Sequence, residues 1–343
     1  MLFDAAQAAS ARTGAATSFQ NNVTVVTGAP TPRPAPVHEL PETDLPCRVV
    51  RAVNDNSPAV WGIKRACGIH AIPIEAVGVN VLDHPETDLT GLPIGPAEFV
   101  HAVMRARCIR PPDRLSYPET LMPLLGRRLW RSTRRMAHGS RRPIFIKPVH
   151  GNPFAGYVAD SRRWAIDYTP HNWQQERLLR ALPESTPLWC SEPVRFVSER
   201  RYFVLEGQVI GSMRTDCGYP SAPTPDEAVL AHAIELMAKE LSTPVGYAIT
   251  LGVLEDGMTV LVGVNDVYRL GAFPAAVPPT DYLRLLWARW RQIRRDSVLV
   301  DVRDQLIGRP GPAKPAISNP VDHDHFPLSR MGGADPTLTS CPR

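Results

Sequence analysis

The sequence predicts an α/β chain of two domains with a proline-rich tail at each end. Three observations carry that expectation. Short β-rich runs alternate with amphipathic helical patterns between Cys47 and Asp296, which is how a mixed layered fold reads in one dimension. Two apolar runs, Tyr247–Leu254 and Met258–Val264, flank a Glu-Asp-Gly turn and read as a hairpin. Prolines number 36 in 343 residues and crowd the two ends, where no apolar periodicity accompanies them.

Composition narrows the class. A chain of 343 residues exceeds one ordinary core and suffices for two domains with tails. Hydrophobic residues make up 43% and charged residues 21%, which suits a globular protein in water. No apolar run approaches the roughly 18 residues that a membrane span needs. The opening MLFDAAQAASARTGAATSFQ lacks the basic start and long apolar stretch of a secretory signal. The cysteines at 47, 67, 108, 190, 217 and 341 form no C-x-x-C pair, so free thiols in a reducing cytoplasm are expected. A net charge of +4 is slight and dispersed, and is no nucleic-acid footprint by itself.

In chain order, residues 1–40 form the first tail. Cys47–Val53 is the first expected strand and His70–Ile74 the second. Pro96–Cys108 carries Phe99, Val100, Val103 and Met104 at helical spacing, with Pro96 in the first turn. These elements make a small α/β domain over 41–135. Its last part holds Arg127, Arg128, Arg131, Arg134 and Arg135, a basic run that reads as a solvated face or as an anion-steering patch. A larger domain follows over 136–303. Ile144–Ile146 is a short buried strand that delivers Lys147 into a Pro/Gly/Asn-rich loop. A lysine there needs its charge answered, and a phosphate would answer it; a surface turn is the alternative. Leu188–Cys190 is a strand entering Ser191-Glu192-Pro193-Val194. Arg201–Leu205 and Gln208–Met213 form a hairpin around Glu206-Gly207. Asp226–Leu241, with acids in its first turn and an apolar stripe, and Asp281–Asp296, with Leu283, Leu286, Trp287, Trp290 and Ile293 on one face, are core helices. Residues 304–343 are the second tail. Its Asp322-His323-Asp324-His325 run is solvated chain, with no fixed geometry for a metal.

The late hairpin brings polar residues together. A two-residue Asp256-Gly257 turn pairs Glu255 with Met258, sets Thr250 opposite Gly263 and sets Ala248 opposite Asn265. Period-2 alternation then puts Thr250, Gly263 and Asn265 on one face. Asn265-Asp266 leaves the strand as a polar pair, which by itself also reads as an ordinary turn.

The ordered set Lys147, Glu192-Pro193-Val194, Ser198-Glu199-Arg200-Arg201 and Asn265-Asp266 resembles the ATP-grasp ligases. More narrowly, it resembles a bacterial clade of peptide ligases named for two arginines and a lysine. The resemblance spans roughly residues 92–296. It implies an ATP-grasp fold behind a smaller α/β pre-domain, with ATP and Mg²⁺ as cofactors. Carried over by position, Lys147 meets the α- or β-phosphate, Glu192 and Val194 line the adenine edge, and Glu199 holds the ribose. Phe154-Ala155-Gly156 fits the loop that covers the nucleotide. Arg201 and Arg214 neutralise phosphate or a developing acyl phosphate, while Asn265 and Asp266 hold the metal. The chain departs from the clade at Thr250 and Gly263, which replace an Asp and a Glu. Asn152-Pro153 replaces a second lysine, and Arg200 replaces a Trp.

The implied activity is phosphorylation of a carboxylate by ATP, followed by attack of an amine to form an amide or peptide bond. The implied partner is a small molecule or peptide bearing a carboxylate and an amine, handled in the cytoplasm, with a homodimer as one option for the assembly. The substituted metal positions favour a second expectation, a weakened ligase that still binds nucleotide and acts as a binding module. A nucleic-acid surface built on the arginines is a distant third.

Overall fold

The computed structural model describes residues 44–306 apart from 79, 81–83, 85, 86, 113, 114, 139, 141, 152, 160–169, 217–220, 241 and 271–275. Both expected tails therefore lie outside the described residues, save for 304–306, which end the last helix. The described residues belong to one compact unit.

Its first layer begins with β1 (Val49–Ala52), α1 (Pro58–Ile69), β2 (Ile74–Val77), β3 (Leu92–Ile94) and α2 (Ala97–Ala106). The strands form a parallel sheet in the order β2-β1-β3. The second strand thus starts at Ile74, where His70 was expected to open it. The reason is α1, whose last turn uses that backbone: His70 N–H donates to Ala66 O and Ile72 N–H to Cys67 O. Ser57 caps α1 by accepting from Val60 N–H, and Pro58 stands at its first position. Gly62 and Gly68 inside α1 hide its helical pattern in the sequence.

A 3-10 helix, Glu119–Leu125, leads into β4 (Leu129–Thr133), α3 (Arg134–His138), β5 (Ile144–Pro148), β6 (Tyr157–Ala159), α4 (Pro170–Arg180) and β7 (Pro187–Ser191). These strands pair antiparallel in the order β4-β7-β5-β6. The sheet therefore starts at Leu129, ahead of the limit expected after residue 135. One of its faces packs Ile144, Ile146, Leu188 and Cys190 against Leu179 of α4 and against Phe154.

The largest sheet uses β8 (Phe196–Leu205), β9 (Gln208–Arg214), β10 (Gly246–Leu254) and β11 (Thr259–Asp266), in the order β11-β10-β8-β9. Between β9 and β10 runs α5 (Glu227–Ala238), capped by Asp226, which accepts from Ala228 N–H at 2.8 Å. The long α6 (Pro279–Leu306) closes the unit. The β8–β9 turn is two residues with positive φ, Glu206 at 50° and Gly207 at 79°, as tight hairpins of this twist require. On one face of this sheet Tyr202, Val204, Ile249, Leu251 and Leu261 pack against Leu230, Ala233 and Met237 of α5 and against Leu121 and Leu125.

The β10–β11 turn differs from expectation. Leu254 N–H donates to Met258 O, so the loop is three residues, and Gly257 takes φ +87°. That slips the pairing by one, giving Val253 opposite Thr259 and Leu251 opposite Leu261. A bulge at Val262 then restores the expected register, with Thr250 opposite Gly263 and Ala248 opposite Asn265. Among the described residues no helix is long and apolar enough to cross a membrane.

The centre of this sheet should dominate stability. Ile249→Ala, at a residue 0% exposed, is expected to cost about 2–5 kcal/mol. Val209→Ala, on the exposed edge strand, should stay within about 0.5 kcal/mol. Urea unfolding of both variants checks the contrast.

Candidate functional site

Between the two antiparallel sheets lies a cavity of about 400 Å³. Period-2 alternation builds its walls. Phe145, Lys147 and Ser191 project from the face of their sheet opposite the α4 core, and Glu199 projects from the face of β8 opposite the α5 core. Phe145, Val158, Val194, Phe196 and Val262 give apolar surface, while Tyr117, Arg127, Lys147, Glu192 and Glu199 give polar groups. The chain thus brings Lys147, Glu192, Val194 and Glu199 to one cavity. Arg201, Arg214, Asn265 and Asp266 do not line it.

Lys147 lies within β5, beside Trp189 of β7. Its Nζ stands over the Tyr117 ring, 4.4 Å from the centroid, where the π face answers part of its charge. Tyr117 is itself held edge-on to Trp189 at 5.3 Å. Glu192 is exposed and its carboxylate accepts from Arg128 N–H at 3.1 Å, which fixes the chain where it leaves β7. Glu199 is half-buried, and burial, with Asp216 nearby, pushes its carboxyl above the ordinary glutamate value. Phe154, expected over the nucleotide, is instead 3% exposed in the α4 core, tilted against Tyr157. Gly156 is needed there because a Cβ would lie 2.6 Å from the Phe145 ring and 3.2 Å from Lys147 Cβ.

The sequence places Arg127 in a basic run but does not reveal its backbone partners. Its guanidinium donates to Leu125 O at 3.0 Å, Leu261 O at 2.8 Å and Val262 O at 3.4 Å, gripping the bulge that resets the hairpin. This is no solvated face. Arg131 also has a partner, 4.4 Å from the Trp189 ring centroid. The sequence signal was present in the neighbouring Gly126, which takes φ +60° and lets the chain turn toward β11, but a run of arginines conceals which one bonds the backbone of β11.

The expected metal position disagrees with the donors present. Thr250 and Gly263 face each other on the same side as Arg201 and Asn265. Thr250 is 4% exposed, and its Oγ1 accepts from Arg201 Nε at 3.4 Å. A Cβ on Gly263 would lie 3.4 Å from Ser116 O, 3.8 Å from Tyr117 Cε1 and 4.0 Å from Lys147 Nζ. Asp266 pairs with Tyr247 and so points to the other face. There its Oδ2 accepts from Arg289 Nη2 at 2.6 Å and Nε at 3.0 Å, with both side chains buried. The expected ligand Asp266 is a structural ion-pair partner, and Asn265 offers one neutral oxygen. Mg²⁺ on phosphates takes one or two carboxylates, so this set does not fit it.

The two arginines expected to act together are also separated. Arg201 is paired with Met213, whereas Arg214 is paired with Arg200 and shares its face. Arg214 forms an ion pair with Asp216, whose other oxygen accepts from Glu199 N–H at 2.5 Å. Burial lowers the Arg201 pKa, opposed by the nearby Glu199 charge. Arg201 alone of the pair belongs to the cleft side.

Residues 124–285 match the family profile for the ATP-grasp domain of the clade named for two arginines and a lysine, in its second family. That segment is an ATP-grasp domain, and the α+β architecture is that of the ATP-grasp fold. No curated protein matches the sequence. Among solved structures, a D-cycloserine synthetase, DcsG, is similar at 13% identity over 72% of this chain and 99% of that one, with a TM-score of 0.47. The ATP-grasp ligase PsnB, complexed with a minimal precursor, is similar at 13% identity over 71% and 99%, with a TM-score of 0.41. A RimK domain ATP-grasp protein from Sphaerobacter thermophilus is similar at 17% identity over 70% and 98%, with a TM-score of 0.41.

Two outcomes are expected from this geometry. Asp266→Ala leaves Arg289 buried and unanswered, so it should lower stability by about 3–5 kcal/mol in urea unfolding, whether or not Mg²⁺ is added. Glu199, with its folded pKa raised, binds its proton more tightly in the folded state. Stability should therefore fall as pH rises from 4.5 through the folded pKa. Unfolding of Glu199→Gln over the same range should show a shallower pH dependence.

Proposed function

We propose that this chain binds an adenine nucleotide in the cleft between its two antiparallel sheets, as a member of the ATP-grasp ligase group with weak or absent turnover. The observation that carries this reading is the convergence of Lys147, Glu192, Val194 and Glu199 on one cavity. Its apolar wall of Phe145, Val194, Phe196 and Val262 suits the faces of a purine. Glu199 is a fitting acceptor for ribose hydroxyls, and the Lys147 ammonium a fitting donor to phosphate oxygens. Weak turnover follows from the donors at the metal position, where Thr250 and Gly263 bring no carboxylate and Arg289 holds that of Asp266 on the other face.

A second reading keeps the ligase active. A carboxylate oxygen would attack the γ-phosphorus of ATP and expel ADP. An amine would then attack the acyl carbon, expel phosphate and lose its proton, giving an amide. What favours it is a further cavity of about 250 Å³ at the carboxyl ends of β1 and β3, also lined by Val267 and Tyr268 just past β11. Such crevices in parallel sheets are common ligand sites, and a small molecule or peptide with a carboxylate and an amine is the substrate class it would take.

Calorimetry with ADP and ATP tests the nucleotide reading. Binding is expected, and Lys147→Ala should weaken it by about 1.5–3 kcal/mol, the scale of a charge-assisted hydrogen bond. Absence of binding at millimolar nucleotide would remove the proposal.

A further inference from the structure

We infer that nucleotide binding in this cleft is independent of divalent metal, with Lys147 and Arg201 supplying the positive charge that a metal would otherwise bring to the phosphates. The inference rests on the nucleotide reading above and goes beyond it by naming what neutralises the ligand.

The argument is one of charge at a single place. Thr250 and Gly263 stand opposite each other on the cleft side of β10 and β11, where the resemblance implied two carboxylates. Neither supplies one. The Thr250 hydroxyl is engaged by Arg201, and Ser116 O beside Gly263 is engaged by Val264 N–H at 3.0 Å. Asp266 is turned away and committed to Arg289. Among the described residues, no group of three or more His, Cys, Asp or Glu side chains is placed to hold a metal ion.

Two cations stand beside that position. The Lys147 ammonium stands 4.0 Å from where a side chain at 263 would begin, and Arg201 reaches Thr250 directly across the sheet from Gly263. A dication placed among them would meet two like charges and the neutral oxygens of Thr250 and Asn265, while the nearby Glu199 carboxylate already acts on the Arg201 guanidinium, an unfavourable balance at such separations. A phosphate placed there meets two opposite charges, one of them a planar fork suited to bidentate contact. A glutamate at 263 would begin 4.0 Å from the Lys147 ammonium and compete with a phosphate for it.

The test is ADP affinity of the full chain measured by calorimetry in EDTA and again in saturating Mg²⁺. The expected dissociation constants agree within about twofold. A tightening of about tenfold or more by Mg²⁺ would overturn the inference while leaving nucleotide binding in place. No binding in either buffer would instead remove the nucleotide reading itself. Gly263→Glu gives an independent arm, because the Cβ position has ordinary van der Waals room. In EDTA this folded variant should bind ADP at least about tenfold more weakly, and Mg²⁺ should restore part of the loss. Unchanged affinity in EDTA would contradict the placement of Lys147 beside residue 263.

Discussion

Strand β10 is bonded on both sides and buried along Gly246–Val253, and the rest of the cleft takes its positions from it. Ile249 and Leu251 point into the α5 core, so period 2 sends Ala248, Thr250 and Gly252 the other way. Register then carries that choice sideways, to Gly263 and Asn265 on β11 and to Glu199 and Arg201 on β8. A slip of one residue would exchange the two faces completely. Arg127 guards against that slip by bonding the carbonyls of Leu261 and Val262 at the bulge. One half-buried guanidinium therefore supports the alignment of every polar group on the cleft floor.

The same alternation explains why adjacent polar residues part company. Asn265 stays on the cleft side, while Asp266 enters the apolar interior and is stable there because Arg289 of α6 meets it with two hydrogen bonds. Breaking such a pair leaves a buried charge without an answer, which is more costly than the pair is favourable. The pair ties the end of β11 to α6, and α6 lies beside the parallel sheet. The ion pair is thus a joint between layers, and its acid is unavailable to the ligand.

Much of this was legible in the sequence, for identifiable reasons. The face shared by Thr250, Gly263 and Asn265 followed from alternation alone. It survived an incorrect turn only because the bulge at Val262 compensates for the three-residue loop. The ordered motifs singled out Lys147, Glu192, Val194 and Glu199, and all four line one cavity. What stayed hidden depends on long-range partners. Arg289 is 23 residues from Asp266, and Arg127 contacts carbonyls that 134 and 135 residues of chain separate from it. Phe154 looked like part of a covering loop, because nothing local reveals that α4 provides it with an apolar seat. Helix α1 was lost to its glycines, whose cost is offset by packing against α6.

What distinguishes this cleft is its charge: Thr250 and Gly263 stand where the resemblance implies carboxylates around a metal, with Lys147 and Arg201 beside them. Crystals grown with ADP and Mn²⁺ would examine that arrangement directly, because manganese reports its own position by anomalous scattering. The account predicts nucleotide density with the phosphates against Lys147 and no anomalous peak between Thr250, Gly263 and Asn265. A manganese peak there, coordinated by nucleotide and protein oxygens, would contradict it.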